Sequence, residues 1–286
     1  PMNITHFFDP ASCTLSYLVY DADTKDAVVI DPVLDFDPSA VRVSDVSVRR
    51  IADTVRELGL HVHYIIDTHA HADHLSGQDA LKELVGGKTA IGGQITVVQD
   101  AFKGIFNFDE GFPTDGRQWD TLMTDGEPLK AGSLTIEPIH SPGHTPACYT
   151  YKVDDALFTG DVLFMPDFGT GRCDFPGGSA EDLYESIQRL YAMPDATRVF
   201  VGHDYQPGGR ALRYETTIGE QKVSNKHLKA TDTKSAFVAF RTARDKTLRP
   251  PHLIFQSLQV NAQAGVLPDP DSNGLRYLRL PMGVFA

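Results

Sequence analysis

Short apolar runs alternate with turn-forming residues in the N-terminal part of the chain. The segments NITHFF, SYLVYD and AVVIDP, at residues 3–8, 16–21 and 27–32, are rich in β-branched and aromatic residues, and Asp or Pro ends or follows each one. Runs of this length between turn formers are typical of strands. The pattern therefore predicts a meander of β-strands at the start of the chain.

The period of the apolar positions changes to that of a helix within residues 46–60. The side chains that follow helical spacing are Val48, Ile51, Val55 and Leu58. Gly59 lies where this helix would end. The run VHYII at residues 62–66 then predicts a strand, and a polar cluster follows it directly, in the loop position where α/β folds commonly build their sites.

A second round of strands and a helix begins near Leu134. Residues 179–193 have helical spacing, with Leu183 and Ile187 on one face and Ser179 as the expected N-cap. The other segments of this round are β-type runs at residues 134–140, 148–153, 156–160 and 198–202.

The repeated order of strands, helix and polar loop predicts two sheets packed face to face with helices outside them. Beyond residue 210 the pattern becomes helical, most clearly in KSAFVAFRTARDK at residues 234–246. We expect a main domain over residues 1–210 and a small C-terminal helical extension, residues 211–286, packed on the same domain. Arg241, Arg244 and Lys246 lie on what we interpret as a solvated face of this last helix.

Composition narrows the class of protein. The chain has 286 residues, of which 41% are hydrophobic, so it can bury a large core. Its 26 Lys and Arg against 38 Asp and Glu give a net charge of −12, which disfavours nucleic acid or an anionic membrane as a partner. A small-molecule substrate is the expected ligand.

Cysteine usage and hydropathy bear on location. Cys13, Cys148 and Cys173 are scattered and form no C-x-x-C motif, which disfavours a disulfide framework and favours a reducing compartment. We expect Cys148 and Cys173 to be small buried side chains. Because there is no apolar run of transmembrane length and no charged-then-apolar leader, we expect a cytoplasmic protein.

Four loops carry side chains that bind metals. They are THAHADH at residues 68–74, SPGHTPAC at 141–148, FTGDVLF at 158–164 and VGHDY at 201–205. A lone Gly-His-Asp turn or a lone aspartate is ordinary surface chemistry, but the crowded first loop would leave many titratable groups to desolvate without a ligand. Imidazoles and carboxylates without thiolates suit Zn, Fe or Mn. The remaining histidines, His6, His61, His63, His140, His227 and His252, have no such context.

The motif His69-x-His71-x-Asp73-His74, followed in order by His144, Asp161 and His203, resembles the metallo-β-lactamase superfamily. The resemblance spans about residues 3–205 and implies an α/β fold, the αββα sandwich, with a metal at one edge of the two sheets. GTGRCDFPGGS at residues 169–179, with Arg172-x-Asp174-Phe175, is similar to the persulfide dioxygenase (sulfur dioxygenase) branch, which is close to glyoxalase II.

That resemblance implies roles for the ligand residues. One Fe(II) per chain would be held by His69, His144 and Asp161, a 2-His-1-carboxylate set that leaves open positions. The other motif residues would orient these ligands and a bound water: His71, Asp73, His74 and His203. The implied reaction oxidises glutathione persulfide with O2 to sulfite and glutathione, by a protein that we take to be a homodimer.

The alternatives stay open at this point. In a dinuclear hydrolase of glutathione thioesters, of glyoxalase II type, the same four residues would hold a second Zn, Fe or Mn ion bridged by Asp161. A catalytically silent metal- or thiol-binding sensor is the third class. Arg172 is the candidate for a substrate carboxylate, although a structural pair with Asp174 is an equal alternative, and Tyr205 is the candidate for lining the pocket.

Overall fold

The computed structural model describes residues 2–285 and contains two six-stranded sheets. The strands are β1 Met2–Asp9, β2 Thr14–Asp21, β3 Asp26–Ile30, β4 Val33–Asp37, β5 Arg42–Ser44, β6 His61–Ile66, β7 Leu75–Ser76, β8 Lys88–Gly92, β9 Thr121–Met123, β10 Leu129–Ala131, β11 Leu134–His140, β12 Tyr149–Val153, β13 Ala156–Phe158, β14 Arg198–Phe200 and β15 Glu215–Thr217. The helices are α1 Val46–Leu58, α2 Gln78–Val85, α3 Ile95–Ile105, α4 Ala180–Tyr191, α5 Ile218–Ser224, α6 Lys234–Asp245 and α7 Ile254–Asn261.

The two sheets form the layers of a sandwich. The first has the order β1-β2-β3-β6-β8-β9 and the second the order β10-β11-β12-β13-β14-β15. The strand β6 is parallel to both β3 and β8, and β13 is parallel to β14, so their carboxyl ends point the same way within each sheet. The expected αββα sandwich with a helical C-terminal lobe is confirmed.

Apolar side chains from the inner faces of both sheets make the main core. Leu15 and Ile30 of the first sheet belong to the same buried cluster as Tyr151, Phe158 and Phe200 of the second. A separate cluster lies outside the first sheet, under α1, and contains Val48, Ile51 and Val55. The helical spacing in the sequence therefore marks the face of α1 that covers the sheet.

The predicted helix termini agree with the structure. Gly59 ends α1 in the left-handed conformation, with φ of 65°, and its amide donates to Arg56. The hydroxyl of Ser179 accepts a hydrogen bond from the amide of Asp182 at the start of α4.

The C-terminal lobe corrects one interpretation. Arg241 does not lie on a solvated face of α6, because its side chain is 1% exposed and its guanidinium pairs with Asp245 at 2.6 Å. Arg244 is half-buried and Lys246 is exposed. The strand β15 continues the second sheet beyond residue 210, and the division of the chain at that residue stays a prediction.

Candidate metal centre

Loops that follow strands meet at one edge of the sandwich. The four that carry the predicted ligands are residues 67–74 after β6, 141–148 after β11, 159–164 after β13 and 201–205 after β14. Backbone hydrogen bonds join them: the amide of Tyr149 donates to the carbonyl of Thr68 at 2.9 Å, and that of Gly202 to the carbonyl of Gly160 at 3.2 Å. The candidate side chains are therefore positioned by sheet pairing rather than by free loops.

His69, His144 and Asp161 converge on one point. The Nε2 atoms of both histidines lie 3.4 Å from Oδ2 of Asp161, and the three ligand atoms all lie within 4.8 Å of one another. All three side chains are buried. Their separation is that of atoms sharing an ion, since Zn–N and Zn–O bonds of about 2.0–2.2 Å place neighbouring ligands roughly 3 Å apart.

The partners of the two histidines determine which ring nitrogen is free. Nδ1 of His144 donates to the carbonyl of Arg172 at 2.7 Å, which leaves the lone pair on Nε2. The hydroxyl of Thr68 donates to Asp31 and so accepts from Nδ1 of His69 at 2.9 Å. Both Nε2 atoms are therefore available as metal ligands, oriented by hydrogen bonds from behind.

Buried ring nitrogens without partners test whether a metal fits. Within residues 2–285, Nε2 of His69, Nδ1 of His71 and Nε2 of His74 are buried and make no hydrogen bond. A buried polar atom without a partner costs about 1–3 kcal/mol. A divalent cation would satisfy such lone pairs, and a set of imidazoles and carboxylates suits Fe, Zn or Mn. The residues therefore fit a metal ion.

The ring of His71 is held by a hydrogen bond from the nitrogen opposite its free Nδ1. Its Nε2 donates to Oδ1 of Asp31 at 2.9 Å, and burial, opposed by that carboxylate, lowers the pKa of His71 to about 4. The ring is therefore neutral near pH 7, with its Nδ1 lone pair free.

His203 lies between two carboxylates. Its Nδ1 is 2.6 Å from Oδ1 of Asp161 and its Nε2 is 2.6 Å from Oδ2 of Asp73. Although burial opposes the charge, the two carboxylates raise the pKa of His203 well above its usual value. Against the same burial penalty, His203 holds the pKa of Asp161 and that of Asp73 well below the usual range. The imidazole of His203 therefore links the two carboxylates.

The two residues predicted to contact the substrate, Arg172 and Tyr205, both lie at the site. They differ in how far their side chains are already engaged by other residues. The guanidinium of Arg172 makes a bidentate pair with Asp174, both bonds at 2.7 Å, and also donates to the carbonyl of Arg249. Its donors are thus largely engaged. Tyr205 is 43% exposed, and its ring stacks on His203 with an interplanar angle of 5°.

A cavity of about 390 Å³ extends from the ligand cluster towards the C-terminal lobe. Its apolar wall includes Phe164 and Phe168, and its far side includes His227, Arg241 and Arg244. Sequence reasoning missed this basic side because Arg241 and Arg244 have the helical spacing of an exposed face. Cys148 and Cys173 are buried, as expected, and all three cysteines are free.

Thr14 is a further residue that the sequence did not single out. Its hydroxyl oxygen lies 3.1 Å from Nδ1 of His74 and 3.1 Å from Nε2 of His203. A threonine at the start of a strand is common, so no local signal marks it. Only the packing of β2 against the loop after β14 brings it to the site.

Known proteins are similar to this chain in sequence and fold. The model of the metallo-beta-lactamase superfamily matches residues 13–203. A probable metallo-hydrolase of Burkholderia pseudomallei (strain 1710b) is 48% identical, over 98% of this chain and 99% of that protein. Glyoxylase B2 of Dictyostelium discoideum is 44% identical, over 95% of this chain and 94% of that protein.

Similarity to persulfide dioxygenases is lower but extends over most of the chain. The mitochondrial persulfide dioxygenase ETHE1 of Bos taurus is 32% identical, over 80% of this chain and 76% of that protein. The crystal structure of ETHE1 from Myxococcus xanthus aligns with a TM-score of 0.73 and 30% identity, over 92% of this chain and all of that one. No helix among residues 2–285 has the length and apolar character needed to cross a membrane.

Proposed function

The chain belongs to the metallo-beta-lactamase superfamily, and we propose that it is an Fe(II)-dependent persulfide dioxygenase acting on glutathione persulfide. The observation that carries the proposal is the convergence of two imidazoles and one carboxylate, His69, His144 and Asp161, on one buried point. A facial set of this composition with open positions is characteristic of non-haem Fe(II) oxygenases. Similarity to ETHE1 over most of the chain supports the same assignment.

The reaction breaks the sulfur–sulfur bond of the persulfide. Glutathione persulfide, O2 and water give glutathione, sulfite and two protons; the terminal sulfur is oxidised by four electrons and O2 is reduced by the same four. The bound Fe(II) supplies the redox chemistry that couples O2 to sulfur. The protein supplies position and charge around it.

The chain's own residues would act on the ligands and the substrate. The carbonyl of Arg172 and the hydroxyl of Thr68 orient His144 and His69, and His203 holds Asp161 in place by its Nδ1 bond. These contacts keep the three ligand atoms close to one point, and His144 and Asp161 also line the cavity. Asp73, His71 and His74 would complete the polar surroundings of the metal and of a bound water.

The cavity suits a flexible thiol that carries a carboxylate. Its wall combines Phe164 and Phe168 with the guanidinium of Arg244, which makes no hydrogen bond or ion pair within residues 2–285. A free guanidinium matches a carboxylate bidentately. Because Arg172 is paired with Asp174, Arg244 joins it as a candidate for this role, and Tyr205 borders the same cavity.

The second candidate function is a dinuclear hydrolase of glutathione thioesters. Two relatives with higher identity, the probable metallo-hydrolase and Glyoxylase B2, favour it. A metal-bound hydroxide formed near pH 7 would then be the nucleophile. In the dinuclear site, Asp73, Asp161 and the Nε2 atom of His203, which lie together here, would be ligands of the second ion.

The proposal also covers the cellular location and the assembly of the enzyme, which we take to be a cytoplasmic homodimer. Three free cysteines are in keeping with the reducing conditions of the cytoplasm. A homodimer is the proposed assembly, since symmetric pairs are the commonest form of soluble oligomer.

The test compares the two reactions on the same iron-loaded protein. Glutathione persulfide should cause uptake of one O2 for each sulfite released, measured with an oxygen electrode and a sulfite assay. A glutathione thioester should not be hydrolysed at a comparable rate. Rapid thioester hydrolysis without persulfide-dependent O2 uptake would replace the proposal with the hydrolase.

A further inference from the structure

The carbonyl group that orients His144 belongs to an irregular segment of the chain. Nδ1 of His144 donates to the carbonyl oxygen of Arg172 at 2.7 Å, and residues 171–174 belong to no helix or strand. A carbonyl in such a segment has no strand ladder or helix to hold it, so its position depends on contacts from neighbouring parts of the fold. Those contacts influence where the imidazole of His144 points.

Two charged side chains of α6 bond to the backbone on both sides of Arg172. Nη1 of Arg241 donates to the carbonyl oxygen of Thr170 at 3.1 Å. Oδ2 of Asp245 accepts a hydrogen bond from the amide of Cys173 at 2.8 Å. The C-terminal lobe therefore holds the segment before and after the orienting carbonyl.

Arg241 and Asp245 also hold each other. Nε of Arg241 donates to Oδ1 of Asp245 at 2.8 Å, and Nη2 lies 2.6 Å from the same oxygen. The two residues are one helical turn apart, so α6 itself fixes their spacing. Their side chains are buried, with 1% of Arg241 and 7% of Asp245 exposed. The pair is a preformed unit that keeps one donor and one acceptor for the backbone of the segment.

Stability alone is a poor explanation for a pair of this kind. The loss of hydration of two buried charges opposes their attraction, and apolar residues often replace buried ion pairs without loss of stability. Apolar side chains cannot donate to the carbonyl of Thr170 or accept from the amide of Cys173. The hydrogen bonds to the segment are therefore the property that is specific to Arg241 and Asp245.

We propose that the Arg241–Asp245 pair positions His144 for metal binding by fixing the backbone of residues 170–173. It is a positioning pair, because it acts through the orienting carbonyl rather than on the ion itself. The model of the superfamily ends at residue 203, before α6. The C-terminal lobe thus contributes to metal affinity from outside the part of the chain that the superfamily model matches.

The inference rests on the part of the proposed function that makes His144 a metal ligand, and it holds for either reaction. His144→Ala separates the two claims. If that variant keeps its metal affinity, the ligand set is wrong and the inference fails with it. If that variant loses its metal affinity but substitution of Arg241 and Asp245 does not lower it, the inference alone fails.

The experiment titrates metal-free protein with Co(II) without substrate, in competition with a chelator, and follows the visible absorption of the bound ion. The double variant Arg241→Met/Asp245→Val replaces the pair by apolar side chains. Its Co(II) affinity should fall about 10- to 100-fold, the usual loss when a partner of a metal ligand is removed. Because no substrate is present, any contact of Arg241 with substrate does not affect this result.

Val48→Ala is the control for a general loss of stability. Val48 is buried under α1, outside the first sheet, and makes no part of the site. Its substitution should lower the melting temperature of the metal-free protein, as the double variant also does through its two lost backbone hydrogen bonds. The Co(II) affinity of folded Val48→Ala protein should nevertheless equal that of wild-type protein.

Three results would overturn the inference. The first is a folded double variant with wild-type Co(II) affinity, and the second is an equal loss of affinity in Val48→Ala. The third needs no substitution and applies even if the double variant does not fold. In metal-free wild-type protein the bond to Asp245 should slow hydrogen exchange of the Cys173 amide at least about 10-fold relative to exposed loop amides, and exchange as fast as theirs would show that the contact does not hold the segment.

Discussion

At the scale of single residues, the hydrogen-bond partner of one ring nitrogen determines which other nitrogen of a histidine is free to bind a metal. His144 is the clearest case, because its Nδ1 donates to a backbone carbonyl and leaves Nε2 for the metal. We predict that His144→Ala lowers iron affinity by at least about 100-fold, measured by iron content after gel filtration, since a three-ligand site loses one ligand.

His61→Ala is the matched control for that substitution. His61 is an exposed histidine at the start of β6, and its replacement should leave iron content unchanged. Retention of one iron per chain by folded His144→Ala protein would remove His144 from the ligand set.

The residue scale also shows which contacts a sequence can reveal. The spacing in His69-x-His71-x-Asp73-His74 is visible because imidazoles crowd into one loop, and the structure brings His69 together with His144 and Asp161 from distant loops. The sequence pattern does not identify the roles of Thr14 and Arg241, and the reason is physical. A threonine in a strand and an arginine in a helix are common, and only tertiary packing makes the first a site residue and buries the second.

At the scale of elements, close backbone approach holds the ligand loops together. A side chain at Gly171 would place its Cβ 1.9 Å from the carbonyl oxygen of Asp161 and 3.5 Å from Cβ of His144. We predict that Gly171→Ala destabilises the fold by roughly 1–3 kcal/mol, because the backbone must shift to relieve the overlap. Urea unfolding measures the loss, and iron affinity should fall with it.

Gly111→Ala is the control for that prediction. Gly111 lies in an exposed loop, and a Cβ there meets no atom within 4 Å. Its substitution should change the free energy of unfolding by less than about 0.5 kcal/mol. Equal effects of the two substitutions would contradict the role assigned to the approach between the loops.

Element prediction succeeded where the periodicity was long or the termini were marked. The helices α1 and α4 follow the apolar spacing closely, and Gly59 and Ser179 mark their ends. The three-stranded sheet β5-β4-β7 was not predicted, because strands of two to five residues carry too few positions to show a period.

At the scale of the whole molecule, the C-terminal lobe contributes a pH-dependent part of the stability. Burial and the nearby Arg241 lower the pKa of His227 to about 3, and its Nδ1 accepts from the amide of Thr170 at 2.9 Å. Below its usual pKa of about 6.5, the unfolded chain binds a proton here that the folded chain does not. Stability is therefore lost as pH falls from about 6.5 towards 3.

We predict that His227→Gln loses less stability than wild-type protein on acidification. Glutamine can keep an acceptor for Thr170 but binds no proton. Between pH 6 and pH 4 the difference in unfolding free energy between the two proteins should shrink by about 2 kcal/mol, on the order of 1.4 kcal/mol per pH unit at most. Parallel pH profiles from urea unfolding would show that His227 does not titrate in this way.

The architecture was predictable from the sequence because two rounds of strands and a helix each end in a polar loop. Which strands pair, and that β15 extends the second sheet, were not predictable, since pairing depends on contacts between distant segments. The number of metal ions was also not predictable from the spacing of the ligand residues alone.

The most direct test of the mononuclear dioxygenase is an iron titration with activity as the readout. Metal-free protein receives increasing Fe(II) anaerobically, and the rate of O2 uptake is measured after glutathione persulfide is added. The rate should rise linearly and become constant at one iron per chain. A rate that becomes constant only at two irons per chain, or persulfide that causes no O2 uptake at any iron content, would contradict the account.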